Sequence, residues 1–523
     1  MANEDRNDDM SRRRVAILGA GPSGLSSLHS FYTAASTTSS SSTVIPEIIC
    51  YEKQAEWGGL WNYSWRTGLD ETGEPVHASM YRNLWSNSPK ECIEYPDYPF
   101  ETHFNKPIGS YPPRAVIADY LKGRVTHIPK RWVKFRHVVR RVTYHEDIQK
   151  FDIVVQDLAN NVQVNDHVDH VIVATGHFST PNMPYFQGMD TFDGKGRILH
   201  SHDFRNAADF KDLHVLIVGA SYSAEDIGSQ CYKYGAKSVT ASYRTRPMGF
   251  KWPKNWETKP LVTKVQGTTV HFKDASSKDV DAIILCTGYQ HSFPFLDEPI
   301  KLQGENKIWL PQLYQGVAFE NNPRIHYLGM HQQYFSLTLF DAQAWWSRDV
   351  ILGKIQIPNT IQERKEHSAK WTQRHDTLIT DKDKVWFQGD YIKSLIQQTD
   401  YPDLDVEAVN KIFVEWEHHK HQDIMGYRNN AYRSVVTNTL SPHFTTPWIK
   451  AMDDSMPYFL SHCKQANTTT NDDDDSNHRQ DADTADYRGA DARPARSTSP
   501  MPFARHLNIL NKKPQKSPRQ VSH

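Results

Sequence analysis

The stretch that most constrains this chain is residues 14–24, Arg-Val-Ala-Ile-Leu-Gly-Ala-Gly-Pro-Ser-Gly. Val15 to Leu18 is a short apolar run that reads as a buried strand. Gly19, Gly21 and Gly24 follow in G-x-G-x-x-G spacing, and Leu25, Leu28 and Phe31 then recur at helical spacing. Strand, glycine turn and helix in that order form the fingerprint of a dinucleotide-binding unit. Gly19 permits the turn, Gly21 lets backbone approach a pyrophosphate, and Gly24 lets the helix pack closely on the strand. The helix start, with Pro22 and Ser23, offers free N–H groups and a positive dipole end to phosphate.

Glu47-Ile-Ile-Cys-Tyr51 reads as a second strand ending at Glu52, an acid placed to bond a ribose hydroxyl. The separation from Gly24 to Glu52 exceeds the usual ~20 residues. The serine and threonine run at 36–43 reads as a surface loop insertion that accounts for the excess. The pattern then recurs. His214 to Gly219 is another buried strand, followed by Gly219-Ala-Ser-Tyr-Ser-Ala224 and a helix to about Tyr234, with Ser221 and Ala224 where the motif prefers glycine. The next strand, Ser238 to Tyr243, ends in Arg244-Thr245-Arg246 instead of an acid. An arginine there accommodates a 2′-phosphate, so the second turn reads as an NADPH site and the first, with Glu52, as an FAD site. Two further apolar strands, Val168–Ala174 and Asp281–Cys286, each close on a Thr-Gly pair, at Thr175-Gly176 and Thr287-Gly288.

These observations predict an α/β fold with two dinucleotide-binding (Rossmann-like) domains. The NADPH-binding domain, 182–289, is inserted between the two parts of the FAD-binding domain, 12–181 and 290–465. Residues 466–523, with four aspartates at 472–475 among Ser, Arg and Pro, carry too little apolar material to fold and read as a disordered tail. Residues 1–13 read as a disordered leader.

Lys and Arg number 60 against 61 Asp and Glu, a net charge of −1, which gives no reason to expect nucleic acid or an acidic membrane as partner. The five cysteines form no C-x-x-C, which disfavours a disulfide frame, a zinc site or a dithiol reductase. No run approaches the ~18 apolar residues needed to span a membrane, so a soluble cytoplasmic protein is expected. His200 and His202 alternate without an evident third ligand, and read as structural with no metal site. Trp57-Gly-Gly-Leu-Trp61 reads either as a backbone brought against a flat ring or as a plain turn. The aromatic segment 77–100 holds Asn87, which either hydrogen-bonds a cofactor or caps its turn. Residues 111–124 and 340–346 read as helical and 132–156 as two or three strands. Residues 360–460 read as helical, with Glu417-His-His-Lys-His421 as a solvated helix face.

With both turns placed, the chain resembles the flavin-containing monooxygenases, most closely the bacterial members that act on trimethylamine. The resemblance rests on Trp57-Gly-Gly-Leu-Trp-Asn-Tyr63, Trp65-Arg-Thr-Gly-Leu-Asp70, Leu84-Trp-Ser-Asn87, Tyr111-Pro-Pro-Arg-Ala115, Ala174-Thr-Gly-His-Phe-Ser-Thr-Pro181, Tyr222-Ser-Ala-Glu-Asp-Ile-Gly228 and Phe340-Asp-Ala-Gln-Ala-Trp-Trp346. It covers roughly residues 12–462. It implies that NADPH reduces FAD, that the reduced flavin captures O₂ as a C4a-hydroperoxide, and that an amine nitrogen or sulfide sulfur takes the distal oxygen. It further implies a homodimer.

By matching position, the resemblance assigns FAD contacts to Gly19, Gly21, Pro22, Ser23, Gly24, Glu52, Gln54, Leu60, Trp61, His77, Ser86, Asn87, Val139, Gln333 and Ser336. NADP contacts fall on Tyr81, Ser221, Tyr222, Ser223, Arg244 and Thr245. Asn87 is the implied catalytic residue, and Tyr222 stands beside the retained NADP⁺. Two departures stand out. Phe192, Gly194, His200 and Phe204 match a family motif only if Lys195-Gly196 is an insertion. On the substrate side, Gln332-Gln333-Tyr334 stands where the trimethylamine enzymes resemble Asp-Gln-Trp. Gln332 and Tyr334 weaken the attraction for a small cation, so trimethylamine is the first expected substrate, with other amines and sulfides such as dimethyl sulfide beside it. A Baeyer–Villiger or N-hydroxylating relative and a non-catalytic FAD-binding interaction protein are the alternatives.

Overall fold

The computed structural model describes residues 13–37, 44–304, 306–445 and 453–463. The leader to residue 12, positions 38–43 of the Ser/Thr run and the tail from 466 lie outside the described residues.

The chain opens with strand β1 (Arg14–Leu18), helix α1 (Pro22–Thr37) and strand β2 (Glu47–Glu52), as the glycine fingerprint requires. Helix α1 continues through Ser36 and Thr37, so the Ser/Thr run begins as the last helical turn and not as a loop. Leu25, Leu28, Phe31 and Ala34 are buried along one face of α1; burying each larger side chain contributes about 1.5–3 kcal/mol. Helices α2 (Phe100–Phe104) and α3 (Arg114–Arg124) lead to β3 (Val133–Phe135), and then to a meander of β4 (His137–His145), β5 (Lys150–Asp157) and β6 (Val162–Val168). Strand β7 is only His170–Val173. The expected single strand from Val168 to Ala174 is therefore two pieces. Val168 pairs antiparallel with Phe151 in the meander. At Asp169 the chain passes to the central sheet, where the Asp169 N–H donates to the Arg14 carbonyl at 2.9 Å.

The second unit comprises β8 (Ile198–His200), β9 (His214–Val218), α4 (Tyr222–Lys233), β10 (Ser238–Ser242) and β11 (Trp256–Lys259). A small antiparallel sheet of β12 (Val262–Gln266), β13 (Thr269–Phe272) and β14 (Ser277–Asp279) follows, and then β15 (Ala282–Leu285). The chain returns with β16 (Leu313–Tyr314), β17 (Ala318–Phe319), β18 (Ile325–Tyr327) and α5 (Ser336–Ile351). Helices α6 (Ile361–His375), α7 (Asp381–Ile396), α8 (Val406–Gln422) and α9 (Met456–His462) complete it.

One sheet has seven strands in the order β16-β17-β18-β7-β1-β2-β3, and the other five, in the order β11-β10-β9-β15-β8. Every pairing in the five-stranded sheet is parallel. In the larger sheet β1 lies parallel between β2 and β7. The strands of the smaller sheet thus fall in sequence between β7 and β16, and the α/β expectation of one unit inserted in another holds. Helices α3 and α5 are joined by Arg124, which donates to both oxygens of the buried Asp341 at 2.7 and 2.8 Å and to Asp97 at 2.7 Å.

Residues 360–460 are not helical throughout. The stretch 423–445 is irregular apart from one turn at Tyr427–Asn429. Asp423 ends α8 by accepting the Met425 and Gly426 N–H groups, both at 3.0 Å, the local competition with a helix that Asp side chains favour.

Candidate active site

The first turn is built by close backbone contact. A Cβ on Gly24 would lie 1.9 Å from the Gly19 carbonyl oxygen, so only glycine fits there. Gly59, at φ +58°, stands over the turn, where a Cβ would meet the Gly21 Cα at 2.7 Å. The Gly58 N–H donates to the Ala20 carbonyl at 2.8 Å. The 57–61 loop thus lies on the glycine turn. The buried Glu52 carboxylate accepts the Ala20 N–H at 2.6 Å and the Gln54 N–H at 2.7 Å, one on each oxygen. A carboxylate has about four acceptor positions, so a lone pair on each oxygen remains for a ribose. Gln54 in turn donates to the Gly59 carbonyl at 3.2 Å.

A cavity of about 790 Å³ opens beside this turn. The 57–61 loop gives it Leu60 and Trp61, and the following segment gives Tyr81, Ser86 and Asn87. The start of α4 brings Ser221, Tyr222 and Ser223, and the chain beyond β10 brings Arg244 and Thr245. Gln332, Gln333, Tyr334 and Ser336 come from the loop into α5. Residues from five separate stretches therefore converge. Gly19, Gly21, Pro22, Ser23, Gly24, Glu52 and Gln54 do not line the cavity but form the adjoining turn. His77 and Val139 are also outside the lining. His77 is held neutral by burial, which pushes it down to about 4. Val139 sits in β4 opposite Val155 and packs into the meander's core.

The sequence reading missed Phe413 and Trp416 of α8, which line the same cavity. Their signal was the apolar spacing Val406, Val409, Phe413, Trp416, which marks a buried helix face without saying what it faces.

Residues 417–421 are a solvated face only in part: His418 and His421 are exposed, but Glu417 and Lys420 turn inward. Lys420 is buried, pairs with Glu225 at 2.9 Å, and lies 4.6 Å from the Tyr222 ring centroid and 4.9 Å from that of Trp416. Glu417 is largely buried as well, and burial pushes its carboxyl up to about 6, with Lys420 opposing and Glu225 adding. Position on α8 put them inside, because the helix turns this edge toward α4. His200 is spent within the fold: its Nε2 donates to the Gly288 carbonyl at 3.0 Å while its Nδ1 accepts the His202 N–H at 3.0 Å; the His202 ring pairs through Nδ1 with Asp203 at 2.8 Å. Gly194 and Gly196 pack tightly on Asp281 and Ala282 at the start of β15.

Two supports hold the cavity wall. Gln388 of α7 accepts the Tyr334 N–H at 2.6 Å and the Phe335 N–H at 3.2 Å, and donates to the Gln332 carbonyl at 3.1 Å. Arg428 donates to the Ser86 carbonyl at 2.9 Å and to Asp226 of α4 at 2.6 Å. Asp226 also accepts the Tyr81 hydroxyl.

The cavity suits a flat, polar-edged ring. Gln333 Oε1 and Asn306 Oδ1 are both buried, belong to lining residues and find no hydrogen-bond partner among the described residues. Buried polar atoms are rarely left unpaired, so a bound group with donors at its edge is what these two acceptors fit.

Two parallel dinucleotide units feeding one aromatic cavity define a class of two-nucleotide oxidoreductase. Residues 12–248 and 255–405 match the family described as flavin-binding monooxygenase-like. The chain is 54% identical to a trimethylamine monooxygenase of Roseovarius sp. (strain 217), over 87% of this chain and 100% of that one. It is 51% identical to a trimethylamine monooxygenase of Methylocella silvestris, over 85% of this chain and 98% of the relative. Among solved structures, Tmm from Pelagibacter sp. strain HTCC7211 superposes with a TM-score of 0.82 at 48% identity, covering 86% of this chain and 100% of that chain. The S-allyl-L-cysteine S-oxygenase of Allium sativum gives a TM-score of 0.68 at 26% identity, covering 80% and 95%. The chain belongs to the flavin-binding monooxygenase-like family and is a flavin-containing monooxygenase.

Proposed function

We propose that the protein uses NADPH and O₂ to N-oxygenate small tertiary amines, with trimethylamine as the first substrate and sulfides such as dimethyl sulfide as a second class. The observation that carries the reading is the shared cavity. Tyr222, Tyr334, Phe413 and Trp416 line one cavity with Asn87 and with Ser221, Ser223 and Arg244 of the second nucleotide turn. The 54% identity to a trimethylamine monooxygenase supports the choice of amine.

The glycine turn, Glu52, Gln54, Leu60, Trp61, Gln333 and Ser336 would hold FAD, and Tyr81, Ser221, Tyr222, Ser223, Arg244 and Thr245 would hold NADPH. When bound and reduced, the flavin activates O₂ for transfer of one oxygen atom. The chain's own contribution is orientation and dryness. Asn87, at the cavity wall, would offer its amide to the reacting centre, and the Arg428 contact with the preceding carbonyl fixes its peptide. Tyr222 is held by Lys420 on its far side. The aromatic wall attracts an alkylammonium through its ring faces and admits neutral sulfides as well. We assign the chain to the cytoplasm and to a homodimer.

The test is NADPH oxidation by the purified protein in air with and without trimethylamine, with the N-oxide followed by NMR. Oxide in step with NADPH supports the reading. NADPH lost only to peroxide would redirect it to other amines, sulfides or ketones. Bound flavin without NADPH oxidation would favour a non-catalytic interaction protein.

A further inference from the structure

We propose that the hydroxyl wire from Tyr334 to Asp381 carries the proton of an ammonium substrate out of the cavity, so that the amine meets the oxidant as a free base. The inference rests on the reading above that a small tertiary amine is the substrate.

An alkylamine is protonated near neutral pH, as the lysine amine is with its pKa of about 10.4. Its lone pair is then bound in an N–H bond and cannot take an oxygen atom. The cavity must therefore admit a cation and then strip it. Aromatic walls attract a cation, but ring carbons accept no proton. Tyr334 lines the cavity and donates to Asp381 Oδ1 at 3.3 Å, whereas the Asp381 side chain, at the first residue of α7, is 41% exposed. The wire thus starts at the substrate and ends at water.

The step balances without a co-reactant. The ammonium N–H bond breaks and its proton adds to the Tyr334 oxygen as the Tyr334 hydroxyl proton passes to Asp381. The carboxylic acid then releases its proton to solvent, and the phenol ends as it began. Burial holds the phenol above its ordinary range, so it does not ionise along the way.

The surrounding charges serve the same end. Glu225, Glu417 and Lys420 face Tyr222, and Glu417 and Asp381 face Tyr334. Lys384, Arg246 and Glu417 face Asp381. Glu417 lies nearest Lys420 and His421, at 4.0 and 3.9 Å, so it supplies field and not path. Burial alone would raise Asp381, but its bond with Lys384 at 2.7 Å overrides this and holds the carboxyl below its usual range. A carboxylate so placed releases a proton to water promptly.

The test compares wild type, Asp381→Asn and Tyr334→Phe in the holoenzyme. One measurement is kcat/KM for trimethylamine from about pH 7 to about pH 10, across which an alkylamine loses its proton. The other is proton release, followed with a pH-indicator dye, when trimethylammonium chloride is mixed with the oxidised enzyme carrying NADP⁺. Anaerobic flavin reduction by NADPH certifies that each variant is folded and loaded. The expected result is a loss of kcat/KM of about tenfold or more at neutral pH that vanishes at the alkaline end, with slowed proton release in both variants. An equal loss at every pH, or proton release at the wild-type rate, overturns the wire while leaving the amine reading intact. Absence of N-oxide from the wild type overturns both.

Discussion

Arg428 donates its Nε to the carbonyl of Ser86 at 2.9 Å, so a residue from the irregular stretch after α8 holds the peptide that precedes Asn87. Its other arm reaches Asp226 on α4 at 2.6 Å. The asparagine loop and the second nucleotide-binding helix are thereby fastened to the same guanidinium. Breaking a buried pair by removing one partner costs about 3–5 kcal/mol, so Arg428→Met should unfold at markedly lower temperature. Arg428→Lys keeps the charge but loses the fork geometry. It should stay folded and divert a larger share of NADPH into hydrogen peroxide, read as the peroxide-to-oxide ratio.

The Gly24 position tolerates no side chain, because a Cβ would sit 1.9 Å from the Gly19 carbonyl. The neighbouring atom is backbone and cannot swing away. Gly24→Ala should purify with little or no flavin, measured as the ratio of visible to 280 nm absorbance. By contrast Gly68→Ala, which meets nothing within 4 Å, should retain flavin at a modest cost from its positive φ.

Arg244 lines the cavity just beyond β10, where a 2′-phosphate is expected. Arg244→Ala should raise KM for NADPH by about tenfold or more, the cost of one charge-assisted contact of about 1.5–3 kcal/mol, while KM for NADH changes little. Equal losses for both nucleotides would count against a phosphate role.

Glu417 titrates in the wrong direction for stability at neutral pH. Burial raises its carboxyl from 4.5 to about 6 in the fold. Its contribution is therefore fully present below about pH 4.5 and is lost as pH rises through about 6. Glu417→Gln should flatten the fall in melting temperature across that window, by an amount on the order of 1–2 kcal/mol.

His326 works with the opposite sign. Buried and bonded to the Ser347 hydroxyl at 2.7 Å, it is pushed down from 6.5 to about 4. The unfolded chain takes up the proton first, so this stability is present above about pH 6.5 and is lost as pH falls toward 4. Denaturant midpoints measured over this range should decline on acidification. His326→Asn should decline less steeply, because no ring is left to charge.

How much of this was legible in the sequence varied with the range of the interaction. The glycine turn, β1, α1, β2 and the Glu52 placement were readable because each follows from bonds and contacts within a few dozen residues. So was the second turn, whose strand, helix and following arginine repeat the same local logic. The family resemblance read the rest of the fold from phrases spread along the chain, and it assigned Asn87, Tyr222 and Tyr334 their places without showing what holds them. The break at Asp169 was not readable, because Val168 is as apolar as the strand after it and only pairing partners separate the two.

The sequence by itself determined two nucleotide-binding units, because strand, turn and helix are set by local periodicity and by glycines that nothing else replaces. Tertiary structure alone decided that α8 faces the cavity, turning a charged run into a buried cation beneath Tyr222. It also decided that Arg428 grips Ser86 across more than 340 residues and that Asp381 meets Tyr334. Charged side chains read as solvent-facing from sequence because isolated charges are costly to bury, and they go inside only when the fold supplies a partner. Those partners lie far along the chain, where no spacing rule reaches.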